Sequence, residues 1–442
     1  MARSVVITGL GPVTAFGISI EPLWKAMLDG RSAIRQIQSF NPCGFPCKFA
    51  AELPQEELDI RKIVPKSYRK ATKVMCRDIE LAVAAAAAAV EDAGLVTKGT
   101  DPEAPPTIPP QRMGCHIGAG LISADANELG AALVTSRGSD GEFDMKHWGE
   151  QGMQNLTPLW LLKYLPNMLA CHVTIVHDCR GPSNTITCCE ASSALSLGES
   201  MRVIERGAAD VCLTGGAEYK LNLLAFIRQV FTGRLATTAG DADPATILRP
   251  FDADASGTLL GEGGGILVLE EAEIARERGA KPYAEVAGFA ATQCLFPDLV
   301  GTDAPADDEA LGDAMLYAIE QAKLKPADIH AIAPLGSAIP SVDDAEAFAI
   351  RRAFGDRAAS IPLVTTVPFT GHCGAGNGAI SLSIAARCLR DQKLPARLNT
   401  RGNNQLDANE THARDAALEN ILVTTTSQGG QNAAVILKRS AS

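Results

Sequence analysis

Short apolar runs that end in glycine alternate along the chain with longer segments of helical spacing. Ser4–Gly11 (SVVITGLG) reads as a buried strand stopping at glycines, and Met113–Gly120 (MGCHIGAG) reads as another. Glu21–Leu28 has the pattern of a short helix. Asp78–Gly94 (DIELAVAAAAAAVEDAG) is alanine-rich, with Gly94 placed as a C-cap. Alanine on every face suits a helix crowded by neighbours on more than one side. Asp101–Gln111 carries prolines without apolar periodicity, which predicts a surface loop.

The most informative stretch runs from Gly181 to Glu218. A Gly-Pro turn leads into the β-branched run Thr185–Thr187, then a Cys-Cys-Glu corner. A helical segment follows with Leu195, Leu197, Met201, Val203 and Ile204 as apolar positions. The run Val211–Leu213 then stops at Gly215-Gly216. Strand, sharp turn, helix and strand predict a parallel βαβ unit. The first residues of such a helix lie where free backbone N–H groups and the helix dipole favour an anion. That is also where a nucleophile elbow presents its reactive side chain.

Composition narrows the class. At 442 residues the chain is long enough for two fused α/β halves, and 46% hydrophobic with 21% charged residues is a globular balance. The net charge of −11 argues against a general nucleic-acid binder. No apolar run approaches ~18 residues, so no membrane insertion is expected. The opening MARSVVITGLG lacks a signal-peptide core, and twelve Cys without such a signal suggest reduced thiols in a cytoplasmic protein. Cys43 and Cys47 form a CxxxC pair with no second pair to complete a zinc site, and no metal is expected. Gly9 and Gly11 hint at a dinucleotide fingerprint, but Val13-Thr14 stands where the third glycine belongs, so no cofactor is expected. Seven basic residues lie between Arg61 and Arg77; they make either a solvated helix face or a docking patch for an acidic partner.

The Gly181–Glu218 stretch resembles the β-ketoacyl-ACP synthases of the thiolase superfamily, whose pattern is GPS, six residues, a nucleophilic Cys and, after the helix, Gly-Gly-Ala-Glu. Counting forward from Ser183 and back from Gly215-Gly216-Ala217-Glu218 gives one position for that nucleophile, and it is Glu190. Arg249-Pro250-Phe251-Asp252 and Gly261-Glu262-Gly263 also match, and the resemblance runs from Val5 to Lys438. It implies a thiolase-like five-layered αβαβα fold of two similar halves, here divided near residue 255 into 1–255 and 256–442. It also implies that the segment around Thr157–Ile175 lines a dimer interface and an acyl pocket.

The resemblance implies chemistry that this chain cannot complete. The family uses a cysteine thiolate to hold the acyl chain, two histidines for malonyl decarboxylation and enolate stabilisation, and a supporting lysine. Against its HGTxTPxxD motif the chain has Leu335-Gly336-Ser337-Ala338-Ile339-Pro340-Ser341-Val342-Asp343, with Leu335 at the histidine position. Against KSxxGH it has Val367-Pro368-Phe369-Thr370-Gly371-His372, with Val367 for the lysine and His372 retained. The gating GFGGTN reads Ser427-Gln428-Gly429-Gly430-Gln431-Asn432, so Gln428 replaces the phenylalanine. Glu190, His372, Leu335 and Val367 are therefore the expected catalytic positions, and Cys189, Gln428, Gly429 and Phe369 the pocket and gate. Cys189 neighbours the elbow position but is expected to point away from it.

Three functions follow from the resemblance. The first is a chain-length-factor-like partner that dimerises with an active ketosynthase paralogue and receives an acyl carrier protein. The second is a decarboxylase or acyltransferase with Glu190 and His372 as an acid–base pair. The third is a homodimeric acyl- or carrier-binding protein.

Overall fold

The computed structural model describes residues 3–238, 242–294, 309–400, 406 and 412–440. Its main strands are β1 (Val5–Thr14), β2 (Met113–Ala119), β3 (Ser183–Ile186), β4 (Val211–Glu218), β5 (Gly263–Glu271), β6 (Ala284–Gln293), β7 (Ala331–Ala333), β8 (Asn420–Thr426) and β9 (Gln431–Lys438). They hydrogen-bond in the order β7-β8-β9-β6-β1-β5-β4-β2-β3, a mixed path in which β3, β2 and β4 run parallel and β1, β5 and β4 antiparallel. The two halves of this path meet at two residue pairs, Val6–Glu285 and Ile7–Ala284. Every residue of β1, β4 and β5 is buried. Strands covered on both faces read as continuous apolar and glycine runs, which is why the sequence pattern locates them.

The helices supply the other layers. α1 (Arg77–Asp92) and α2 (Met168–His177) cover the outside of the first half. α4 (Glu309–Gln321) and α5 (Pro340–Phe354) cover the outside of the second. Between the halves lie α3 (Ser192–Glu205) and α6 (Asn377–Asp391): α3 packs on β2, β4 and β9, and α6 on β1, β5 and β8. Ala194, Leu197, Ile380, Ile384, Val423 and Val435 share the core formed there. The result is the αβαβα layering expected from sequence.

Two close approaches shape the first half. Gly9 and Gly11 sit under α1, and a Cβ on Gly11 would overlap the carbonyl oxygen of Ala85 and the amide of Ala89. The alanines of α1 and these glycines are one device: both remove side chains so that helix and strand backbones can meet. The corner before α3 is equally tight, with Cys189–Ala191 forming a single 3₁₀ turn.

The helix after the corner spans Ser192–Glu205. Two expectations are corrected. The basic segment is a short α-turn at Ile60–Ile63 followed by 3₁₀ structure over Lys66–Val74, not one helix face. β5 pairs residue for residue with both β1 and β4, so it belongs to the first half. A division near residue 255 would cut it off from its partners, and the pairing favours one in the connection before β6.

Candidate functional site

The corner is the centre of the site. Cys189 adopts φ 47°, a left-handed conformation that costs a residue with a β-carbon on the order of 1 kcal/mol. The chain reverses there, leaving Cys189 exposed and burying Glu190 to 1% exposure. Strain and chemistry thus occupy adjacent residues. The Cys189 thiol is pushed up to about 11, first by desolvation and then by the Glu190 carboxylate, so a reactive thiolate is disfavoured.

A buried carboxylate needs a partner. For Glu190 that partner is Arg234, whose Nη1 donates to Oε1 at 2.8 Å. The same Nη1 donates to Gln428 Oε1 at 3.3 Å, and the Gln428 backbone N–H donates to Glu190 Oε2 at 3.4 Å. Of the helix-start amides expected around this carboxylate, Glu190's own contributes. Lys220 stands close by, bonded to the buried Glu218 at 3.1 Å; the Ala375 N–H donates to the same Glu218 oxygen at 2.8 Å. Gly120 and Gly374 line this carboxylate, and a Cβ on either would overlap it.

Burial would raise the Glu190 carboxyl, but the Arg234 guanidinium, with the Lys220 ammonium beside it, holds it well below the ordinary carboxylate range; a neutral His372 ring adds no charge to this. His372 is itself pushed down to about 3, chiefly by burial, with Arg234 and Lys220 adding to the effect and Glu190 opposing it. We assign a neutral imidazole, because Glu190 and Glu218 already face two permanent cations. Its Nδ1 accepts the Gly374 N–H at 3.4 Å, which leaves the proton on Nε2. That Nε2 is buried without a hydrogen-bond partner among the described residues and stands 3.6 Å from Glu190 Oε1. The contact between these two residues is thus one between an ionised carboxylate and a neutral imidazole. In the isolated chain, the ¹⁵N shifts of selectively labelled His372 should show a neutral Nε2–H ring down to pH 5 or below; a cationic ring at pH 7 would contradict this assignment.

The structure gathers Glu190, His372 and Gln428 into one site. Leu335 is buried with its backbone N–H donating to Glu346 Oε1 at 2.9 Å, and Val367 is fully buried in an apolar cluster with Phe226 and Leu260. Neither can hydrogen-bond through its side chain. Asp343 and Glu346 beneath this loop accept the Ser337, Ala338, Leu335 and Gly336 amides, and burial pushes each up to about 7. Phe369, expected at the pocket, is fully buried in the core between the sheets. Gly429 is exposed, its carbonyl accepting from Gln293 Nε2 at 2.8 Å.

Sequence reasoning missed Arg234 and Lys220. The usable signal was the buried anion itself, which demands a cation from one of the glycine-rich stretches nearby. Elsewhere, Arg61, Lys62, Arg69, Lys70 and Lys73 line one surface depression together with Asp59. Among the described residues no His, Cys, Asp or Glu cluster could hold a metal, and no helix is long and apolar enough to cross a membrane.

Comparison with known proteins decides the family. Models of the β-ketoacyl synthase N-terminal and C-terminal domains match residues 2–275 and 283–401. The chain belongs to the β-ketoacyl synthase family. It is 31% identical over 447 residues to a 3-oxoacyl-[acyl-carrier-protein] synthase 2 of Rhizobium meliloti, covering 99% of each chain. Among solved structures it resembles a β-ketoacyl synthase from Burkholderia phymatum (TM-score 0.83, 26% identity) and the ishigamide ketosynthase/chain length factor (TM-score 0.81, 25% identity), each over the full length of both chains. The layering above is thus the thiolase-like fold of β-ketoacyl synthases, with domain models matching both halves. Within this family fold, the corner before α3 holds a carboxylate paired with a guanidinium.

Proposed function

We propose that this chain is a non-condensing subunit of fatty-acid or polyketide synthesis, pairing with an active β-ketoacyl-ACP synthase in the manner of a chain-length factor. The observation that carries this reading is the Glu190–Arg234 pair: the corner side chain is a buried, ion-paired carboxylate rather than a nucleophile. A carboxylate so neutralised is a poor nucleophile, and a mixed anhydride is a poor acyl store. Leu335 and Val367 remove two further groups that malonyl decarboxylation would use. An acid–base enzyme built on Glu190 and His372 is not favoured, because one group is held ionised and the other neutral far from pH 7.

The partner is inferred from the free edge of the sheet. Among the described residues β3 pairs on one side only, with β2, and Ser183 and Asn184 are exposed. Leu121, Leu159, Leu161 and Ile175 are also exposed. An open edge with exposed apolar residues fits a partner subunit. The basic depression at Arg61–Lys73 suits the acidic surface of an acyl carrier protein.

Co-expression with a neighbouring ketosynthase tests the reading, with native mass spectrometry for the complex and product analysis for its output. The expected result is a heterodimer in which Glu190→Gln leaves product formation within about twofold while lowering stability by about 1–3 kcal/mol through the weakened bond to Arg234. Product loss in a folded, still-dimeric Glu190→Gln variant would show that Glu190 is a base. A homodimer that ignores every ketosynthase partner would favour a carrier-binding protein.

A further inference from the structure

Resting on the non-condensing reading, we propose that Arg234 is a latch that closes this protomer's corner to the acyl-pantetheine arm of a carrier. One guanidinium nitrogen joins three parts of the chain distant in sequence. It bonds Glu190 at the corner and Gln428 in the turn between β8 and β9, and Arg234 itself lies just beyond the helix Leu223–Phe231. The Gln428 amide closes the triangle on the second carboxylate oxygen.

The turn carrying Gln428 is already stiff. Gly430 N–H donates to Ser427 O at 2.9 Å, and Ser427 N–H donates to Gln431 O at 2.9 Å. Its outer side is tied to the end of β6 through Cys294 N–H to Gly430 O at 2.9 Å. The inner side is held by Arg234 and Glu190. With the Arg234 side chain 11% exposed and that of Glu190 1% exposed, the guanidinium and the Gln428 side chain cap the carboxylate. An arm long and thin enough to reach position 190 meets a desolvated ion pair that would have to be broken first. Breaking such a pair without replacing its partners is costly. The unpartnered Nε2–H of His372 lies behind the cap, a donor that no arm can reach while it is closed. Exclusion at this site would leave acyl chemistry to the partner subunit.

The test compares full-length wild type with Arg234→Ala and Gln428→Ala, each in complex with its ketosynthase. Gln428→Ala keeps the ion pair and the backbone N–H bond to Glu190 but removes the side-chain bond to Arg234, so its exchange readout serves if Arg234→Ala fails to fold. Amide hydrogen exchange at 428–430 and saturation-transfer NMR with hexanoyl-pantetheine are the readouts, the ketosynthase carrying its own cysteine blocked. Expected are exchange faster by roughly tenfold in both variants, the loss of one charge-assisted hydrogen bond, and probe contact with Arg234→Ala but not with wild type or with Gln428→Ala, which keeps the ion pair. Unchanged exchange in Gln428→Ala would overturn the latch. Equal probe contact in wild type and Arg234→Ala, without acylation, would overturn the latch and leave the non-condensing reading intact. Acylation mapped to Glu190 in wild type would overturn both.

Discussion

Replacing Arg234 with alanine is expected to destabilise the protein by about 3 kcal/mol, the scale of a buried carboxylate left without its cation. Glu190 is fully enclosed and its bond to Arg234 at 2.8 Å is its shortest polar contact of those above. Lys220 remains near and keeps the cost at the lower end of that scale. The double variant Glu190→Gln/Arg234→Ala should recover much of the loss, because a neutral amide no longer needs the guanidinium; a deficit as large as that of the single variant would mean that Arg234 acts through packing.

The pH dependence has a definite sign. The folded-state pKa of Glu190 is depressed, so wild type carries this stabilisation above the unfolded carboxylate value near ~4.3 and loses it on acidification below that. In Arg234→Ala the carboxyl is no longer held down to the same extent. The deficit of that variant should therefore be largest near neutrality and shrink as pH falls through the unfolded value. Urea unfolding at a series of pH values measures both terms, and a deficit that stays constant with pH would exclude the electrostatic account.

Gly11→Val should be more damaging still, by about 4 kcal/mol or more. β1 lies at the middle of the strand order, buried throughout, with α1 laid directly on it. Two of the atoms that a Cβ at position 11 would overlap are backbone atoms of α1, the Ala85 oxygen and the Ala89 nitrogen. Backbone cannot be trimmed by a compensating substitution, so Ala89→Gly should fail to rescue the variant. Relief would require α1 to lift from the sheet, exposing Ala82, Ala86 and Val90 of its buried face. Gly130→Ala is the contrasting control: it lies within the helix Ala126–Val134 with open space where the added methyl group would stand, and should stabilise by about 0.5–1 kcal/mol. Soluble yield and melting temperature separate the two, and a soluble Gly11→Val protein with a near-normal melting temperature would contradict the packing argument.

Much of this protein is determined by local sequence. Continuous apolar runs specify strands buried on both faces, and the alanine run of Asp78–Gly94 together with Gly9 and Gly11 specifies one close helix–strand contact. These signals are short-range, because a strand or helix expresses its burial in the spacing of its own residues. The placement of Glu190 at the corner was legible from counts against the β-ketoacyl-ACP synthase pattern along one βαβ unit, and the same resemblance marked Leu335 and Val367 as side chains without polar chemistry at its histidine and lysine positions.

What the carboxylate does was decided only by tertiary structure. Arg234 lies 44 residues after Glu190, and Gln428 a further 194 residues on. No periodicity connects such positions, since the energy of a charge pair depends on separation in space and on the loss of water around it, neither of which is written along the chain. The lowered pKa of His372 has the same tertiary origin. Its motif shows a retained histidine and an acid elsewhere in the chain, but burial and two cations outweigh that acid and keep the ring neutral. Phe369 makes the same point from the other side: its motif suggested a pocket, while packing between the layers put it in the core.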